Sequence, residues 1–238
     1  MREFFFGRLS RFAAWAVILT GVLFFQATGT ARASFCVGDD AFSISNAPGY
    51  CFAMSAFSRW YYLRHQGELP LRKVIDKRNQ ERIARELQHY YSKNLINIQA
   101  DYCNKFHGNQ TESFQRFLAG IVAGEPRIVL LMNKGPRGTV LHAVLAYEWV
   151  PDQSILKIYD PNYTNGERFV DLERKEYTSL DVTYNAICFP EVLHFHAGLN
   201  KKMEILYSLH VAKKIAARSA PQVSSHWNQP EAGKPPEQ

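Results

Sequence analysis

The 238-residue chain has no Lys/Arg run long enough to line a nucleic-acid groove, although its formal net charge is +6. Its basic residues are scattered, so a nucleic-acid partner is excluded as the main reading. No internal repeat and no second domain boundary is visible, which leaves one domain with a substantial core. The glycine-rich stretch Lys134-Gly135-Pro136-Arg137-Gly138 lacks the spacing of a phosphate-cradling Walker loop and reads as the rim of a cleft. His194-x-His196 resembles two metal ligands on a strand, but no Cys or carboxylate cluster completes the set. Two half-buried histidines are the better reading, and no metal or cofactor is expected.

The apolar run Phe12 to Phe25 is short for a membrane-spanning helix. It follows Arg2, Arg8 and Arg11 and precedes Ala31-Arg32-Ala33, which together make the layout of a secretory signal peptide over residues 1–33. Cleavage after Ala33 would leave a secreted or periplasmic protein with no stable membrane association. Loss of four basic and one acidic residue would lower its charge from +6 to +3. An uncleaved anchor is the alternative, and it leaves the domain on the same side. The domain then spans residues 34–218. The tail, 219–238, is rich in Pro, Ser, Gln and Asn without periodicity and reads as disordered. Asn109 and Asn162 head N-x-Thr sequons, which carry meaning only if the source glycosylates exported proteins.

Cysteine is scarce too: Cys36, Cys51, Cys103 and Cys188. Asn46-Ala47-Pro48-Gly49 marks a tight turn, and Phe52, Ser55/Ala56 and Trp60 recur at helical spacing after it. Cys51 therefore belongs at the first turn of a buried helix running to about Arg64. Free backbone N–H groups and the positive end of the helix dipole favour a thiolate there. The plain alternative is a small buried core cysteine. Downstream, Leu141 to Tyr147 and Ile155 to Tyr159 read as adjacent strands joined by Pro151-Asp152-Gln153-Ser154. His142 begins the first strand and Asp160 closes the second, so an antiparallel pairing brings imidazole and carboxylate together. A thiol at a helix start, a histidine and an orienting carboxylate are the parts of a nucleophilic site.

At these residues the chain resembles the papain-like cysteine peptidase superfamily. Gly49-Tyr50-Cys51-Phe52-Ala53-Met54-Ser55 matches the Gly-Ser-Cys-Trp-Ala-Phe-Ser pattern at that family's nucleophile. His142-Ala143-Val144 and Tyr159-Asp160-Pro161-Asn162 are most similar to the bacterial branches, the bacteriocin-processing and YopT-like peptidases. The resemblance spans about residues 46–169 in the order Cys, His, Asp. It implies an α+β fold in which the nucleophile helix packs on an antiparallel sheet, and a Cys51-His142-Asp160 triad acting on a protein or peptide substrate. The family places an oxyanion-hole Gln shortly before the Cys. This chain has no Gln between Gln26 and Cys51, so Asn46 is the nearest amide for that role. The same parts would serve an acyltransferase or transglutaminase-like enzyme, or a binding module without activity.

With Cys51 as nucleophile, three cysteines remain for at most one disulfide. Cys36 with Cys103 is the expected pair, no pairing is the alternative, and a paired Cys51 would remove the chemistry. Elsewhere, residues 71–94 read as one charged helix with Ile83, Leu87, Tyr90 and Tyr91 on its apolar face. A second helix follows Asn109-Gln110-Thr111 and ends at Gly124 and Pro126. Arg127 to Met132 reads as a strand, and so does Arg168 to Asp171. Val192, His194 and His196 alternate as in a strand, while residues 203–217 suit helix or strand.

Overall fold

The computed structural model describes residues 34–46, 49–65, 68–105, 110–135 and 138–212, and the compact unit that carries the fold begins at Cys36. The expected signal peptide, the tail, Asn109 and the centre of the 134–138 loop lie outside the described residues. Within them, no helix is long and apolar enough to cross a membrane.

The fold is α+β, an antiparallel sheet packed against helices. A short helix α1 (Val37–Asp40) precedes α2 (Cys51–Arg64), α3 (Leu71–Val74), α4 (Lys77–Asn94), α5 (Ile96–Lys105) and α6 (Gln110–Val122). Strands β1 (Arg127–Gly135), β2 (Gly138–Val150), β3 (Ile155–Tyr159), β4 (Arg168–Asp171), β5 (Tyr177–Ser179), β6 (Val182–Tyr184) and β7 (Ala186–Cys188) follow, then α7 (Glu191–His194) and α8 (Ala197–Tyr207). The main sheet has the order β4-β3-β2-β1-β7 with antiparallel neighbours throughout; β5 and β6 form a separate hairpin.

Both faces of the sheet's centre are covered, which is why β1 reads as an unbroken apolar run. Val129 and Leu131 of β1, Val144 and Ala146 of β2, and Leu156 and Ile158 of β3 share one face and form a core with Phe117 and Ile121 of α6. The opposite parity, including Leu130, Ala143 and Leu145, is also buried, and α2 contacts β1 and β2. That helix is buried from Phe52 through Tyr62, on every side, as befits a central helix. Ser55 Oγ donates to the Ala143 carbonyl at 3.2 Å, docking α2 one turn beyond Cys51 onto the residue next to His142.

Three expectations need correction. Residues 71–94 are two helices, because Asp76 leaves the helix and caps the second one, accepting from the Asn79 N–H at 2.9 Å. The cysteine pair is Cys103–Cys188, joining α5 to the edge strand β7, with Cα atoms 5.8 Å apart; Cys36 and Cys51 are free. His194 and His196 do not alternate on a strand: His194 ends α7, and His196 caps α8 by accepting from the Leu199 N–H. The stretch after it is helical through Tyr207 and closes on a π-turn, Ser208–Ala212.

Candidate active site

The turn before α2 closes as its residues dictate, with the Gly49 N–H donating to the Asn46 carbonyl at 2.7 Å. Gly49 has φ of 81°, a left-handed conformation that side chains resist, so glycine is required for the chain to enter α2 at this angle. Cys51 is the first residue of the helix. Tyr50, at the N-cap, offers no side-chain cap. The free N–H groups of the first turn find other uses: Phe52 donates to the Cys51 sulfur, and Ala53 donates to Gln88 Oε1 on α4 at 3.2 Å. The Cys51 N–H has no acceptor among the described residues.

His142 lies within β2, as its fifth residue rather than at its beginning, opposite Leu131 of β1. Its Nε2 is 2.7 Å from Asp160 Oδ1, which leaves Nδ1 for its hydrogen bond with the Cys51 thiol. Asp160 follows the last residue of β3. The register pairing Leu145 with Tyr159 sets the end of β3 beside the middle of β2, close to His142, and the β-bulge at Tyr147 lies beyond the site. Both side chains are buried, His142 at 3% and Asp160 at 1% exposure.

A buried carboxylate is costly unless its lone pairs are met. Here Asp160 accepts four hydrogen bonds: from His142 and the Asn162 N–H on Oδ1, and from the Tyr177 and Ser179 hydroxyls on Oδ2, at 2.6 to 2.8 Å. Burial alone would raise its pKa, but the His142 hydrogen bond and charge, with Ser179 and Asn162, bring it below the ordinary value. Burial likewise opposes the imidazolium of His142, yet Asp160 and the Cys51 thiolate raise its pKa to about 9. For Cys51, burial pushes the thiol up and is outweighed by His142 and by the Ala143 and Phe52 backbone, so its pKa is lowered. The three directions agree: thiolate and imidazolium stabilise each other, and Asp160 stays ionised behind them.

Asn46 lies in the same cleft, buried, with its amide nitrogen donating to Asn162 Oδ1 at 2.7 Å. Asn162 in turn donates to Ser179 Oγ at 2.8 Å, so the turn before Cys51 is tied to the loop after Asp160. Tyr184 of β6 stacks on the His142 ring with centroids 5.7 Å apart. Sequence reasoning missed Tyr177, Ser179 and Tyr184, which lie on three-residue strands too short for any period to register. It missed Gln88 as well, a residue of the charged helix whose proximity to Cys51 is purely tertiary.

Asn46, Cys51, Gln88, His142, Asn162 and Tyr184 line a cleft of about 540 Å³ that also presents Tyr91, Ile96, Leu141 and Leu180. A larger hollow, about 750 Å³, lies between α6 and α7, but its inward charges are spent on each other: Arg127 pairs with Glu125 at 2.8 Å and Glu191 at 3.0 Å. His194, also buried there, accepts from the Ile128 N–H and has its pKa lowered to about 4 by burial. It is a neutral core histidine. Among the described residues no group of three or more His, Cys, Asp or Glu side chains is arranged to hold a metal ion. Comparison of the chain with models of known protein families, with curated proteins and with solved structures found no match.

Proposed function

We propose that this protein is a thiol hydrolase, a cysteine peptidase or amidase with a papain-like arrangement, exported through its N-terminal segment. The observation that carries the reading is the relay in which Cys51, at a helix start, is hydrogen-bonded to a His142 whose far nitrogen is held 2.7 Å from a buried, fully hydrogen-bonded Asp160. A disulfide between Cys103 and Cys188 supports residence outside the cytoplasm.

The chemistry follows from the protonation states. The Cys51 thiolate adds to the substrate's carbonyl carbon, and the carbonyl electron pair moves onto oxygen. The Cys51 N–H, at the positive end of α2, faces that oxyanion. On collapse the C–N bond breaks, the departing amine takes the His142 proton, and the acyl group stays on sulfur. A water molecule, deprotonated by His142, then cleaves the thioester and restores thiolate and imidazolium. Asp160 keeps the imidazole oriented and stabilises its charge throughout.

The test is turnover of a fluorogenic peptide library by the purified protein and by Cys51→Ser. Thiol-dependent cleavage lost in the variant is expected, with the acyl group trapped on Cys51 in mass spectra at short times. A Cys51 that neither cleaves nor accepts an acyl group from any member of the library rules the reading out. Product formed mainly on an added primary-amine acceptor rather than on water, and only with active Cys51, would instead identify transfer to amines as the main outcome.

A further inference from the structure

The first turn of α2 leaves one requirement of that chemistry half met. The Cys51 N–H is a single donor, whereas a developing oxyanion is ordinarily held by two. Asn46 has one of its two amide N–H groups committed to Asn162, which ties that side chain to the loop beyond Asp160. Gln88 is placed differently. It stands on α4 between the buried residues Leu87 and Tyr91, lines the cleft with Cys51, and reaches the free end of α2. Its orientation follows from chemistry: the Ala53 N–H needs an acceptor, so Oε1 faces the helix end. Nε2, on the same carboxamide, donates to no acceptor among the described residues. The N–H groups of a helix's first three residues emerge at one end, so an amide anchored on Ala53 stands beside the Cys51 N–H.

We infer that Gln88 supplies the second donor of the oxyanion hole, through Nε2, while its Oε1 caps the nucleophile helix; the role presupposes the thiol acyl-transfer chemistry proposed for Cys51. One side chain would thus fix the end of the helix that carries the nucleophile and aim a donor at the atom on which charge develops. The position of the amide then follows the position of the sulfur, because both are referred to the same turn of α2.

Gln88→Glu and Gln88→Met separate the two duties. Glu keeps an acceptor for the Ala53 N–H and removes the donor; Met removes both. Each full-length variant is treated with iodoacetamide, whose reaction with a thiolate forms no oxyanion, and with N-acetylphenylalanine p-nitrophenyl ester, whose reaction does. Peptide mapping assigns each label to Cys51 rather than Cys36. The ratio of acylation to alkylation cancels any change in thiolate population, including that caused by the carboxylate of Glu. It is expected to fall at least tenfold, toward about 10²–10³-fold, in both variants. Only the Met variant should lose melting temperature. An unchanged ratio in the Glu variant, with Cys51 still alkylated, overturns the role of Gln88 and leaves the nucleophile standing. A loss of ratio in Asn46→Asp without one in Gln88→Glu assigns the donor to Asn46 and also overturns it. A wild-type Cys51 inert to both reagents removes the acyl-transfer reading and this inference with it.

Discussion

Asp160 holds the imidazole and caps the turn that follows it, since its Oδ1 accepts from the Asn162 N–H as well as from His142. Asn at this position keeps an oxygen for those two donors, and its N–H₂ can donate to the Tyr177 and Ser179 hydroxyls once they rotate. Asp160→Asn should therefore fold with a loss of about 1–2 kcal/mol and keep part of its turnover, the deficit coming from the lost charge behind the imidazole. Asp160→Ala strands four donors in the core and should cost about 3–5 kcal/mol. Denaturant titration alongside rate measurement checks both, and a full rate in a destabilised Asp160→Ala protein would remove Asp160 from the chemistry. The pH profile is a second prediction at this scale. The ion pair exists from the lowered pKa of Cys51 up to the raised pKa of His142, so acylation should persist below the ordinary thiol range and decline as pH passes about 9. In His142→Ala the partner that lowers the thiol pKa is gone, and the acid limb of Cys51 alkylation should move up toward about 8.5. An acid limb that stays put would mean that the helix end alone holds the thiolate.

Among the elements, those that could be read in the sequence are the ones whose period is long or whose ends are marked. Helix α2 starts at Cys51 and stops at Arg64 as its turn residues and spacing imply, and the antiparallel β2–β3 hairpin carries His142 and Asp160 to one place, although His142 sits inside its strand rather than at its start. The hairpin β5–β6 escaped notice: six strand residues carry too little pattern, yet they provide the hydroxyls that hold Asp160. The break at Asp76 escaped because charged residues continue across it without a Pro or Gly, and a cap there depends on one side-chain bond. The disulfide could not be assigned by spacing, since its partners are 85 residues apart and meet only after β7 has joined the sheet. Arg72 is likewise invisible as more than a surface charge. Its guanidinium donates to the carbonyls of Ala41, Phe42 and Thr164 and to Asn165 Oδ1, binding the segment ahead of α2 to the loop beyond Asp160. Arg72→Lys keeps the charge and loses the fork; a loss of about 2–3 kcal/mol is expected, and with it a melting point roughly 5–10 °C lower. Scanning calorimetry checks this, and an unchanged transition would reduce the clamp to a surface decoration.

For the whole molecule, the Cys103–Cys188 link closes a loop that contains both strands of the site. In the chain-entropy account such a closure stabilises by about 4–5 kcal/mol, so the double variant Cys103→Ser/Cys188→Ser should melt roughly 8–20 °C lower while Cys51 keeps its alkylation rate below the transition. Loss of Cys51 reactivity in the folded variant would mean that the link also shapes the cleft. The coexistence of this bond with a free, low-pKa Cys51 sets opposite demands on the surroundings. A structural disulfide of this kind resists reduction down to about −300 mV, whereas an activated thiolate is readily capped by glutathione or oxidised to sulfenic acid in a milieu that favours disulfides. The molecule thus has a redox window, bounded above by capping of Cys51 and below by opening of Cys103–Cys188. Outside a cell the upper bound would be met first, so under the proposed export and thiol chemistry the reactivity of Cys51 would have a limited lifetime unless a thiol reductant is supplied.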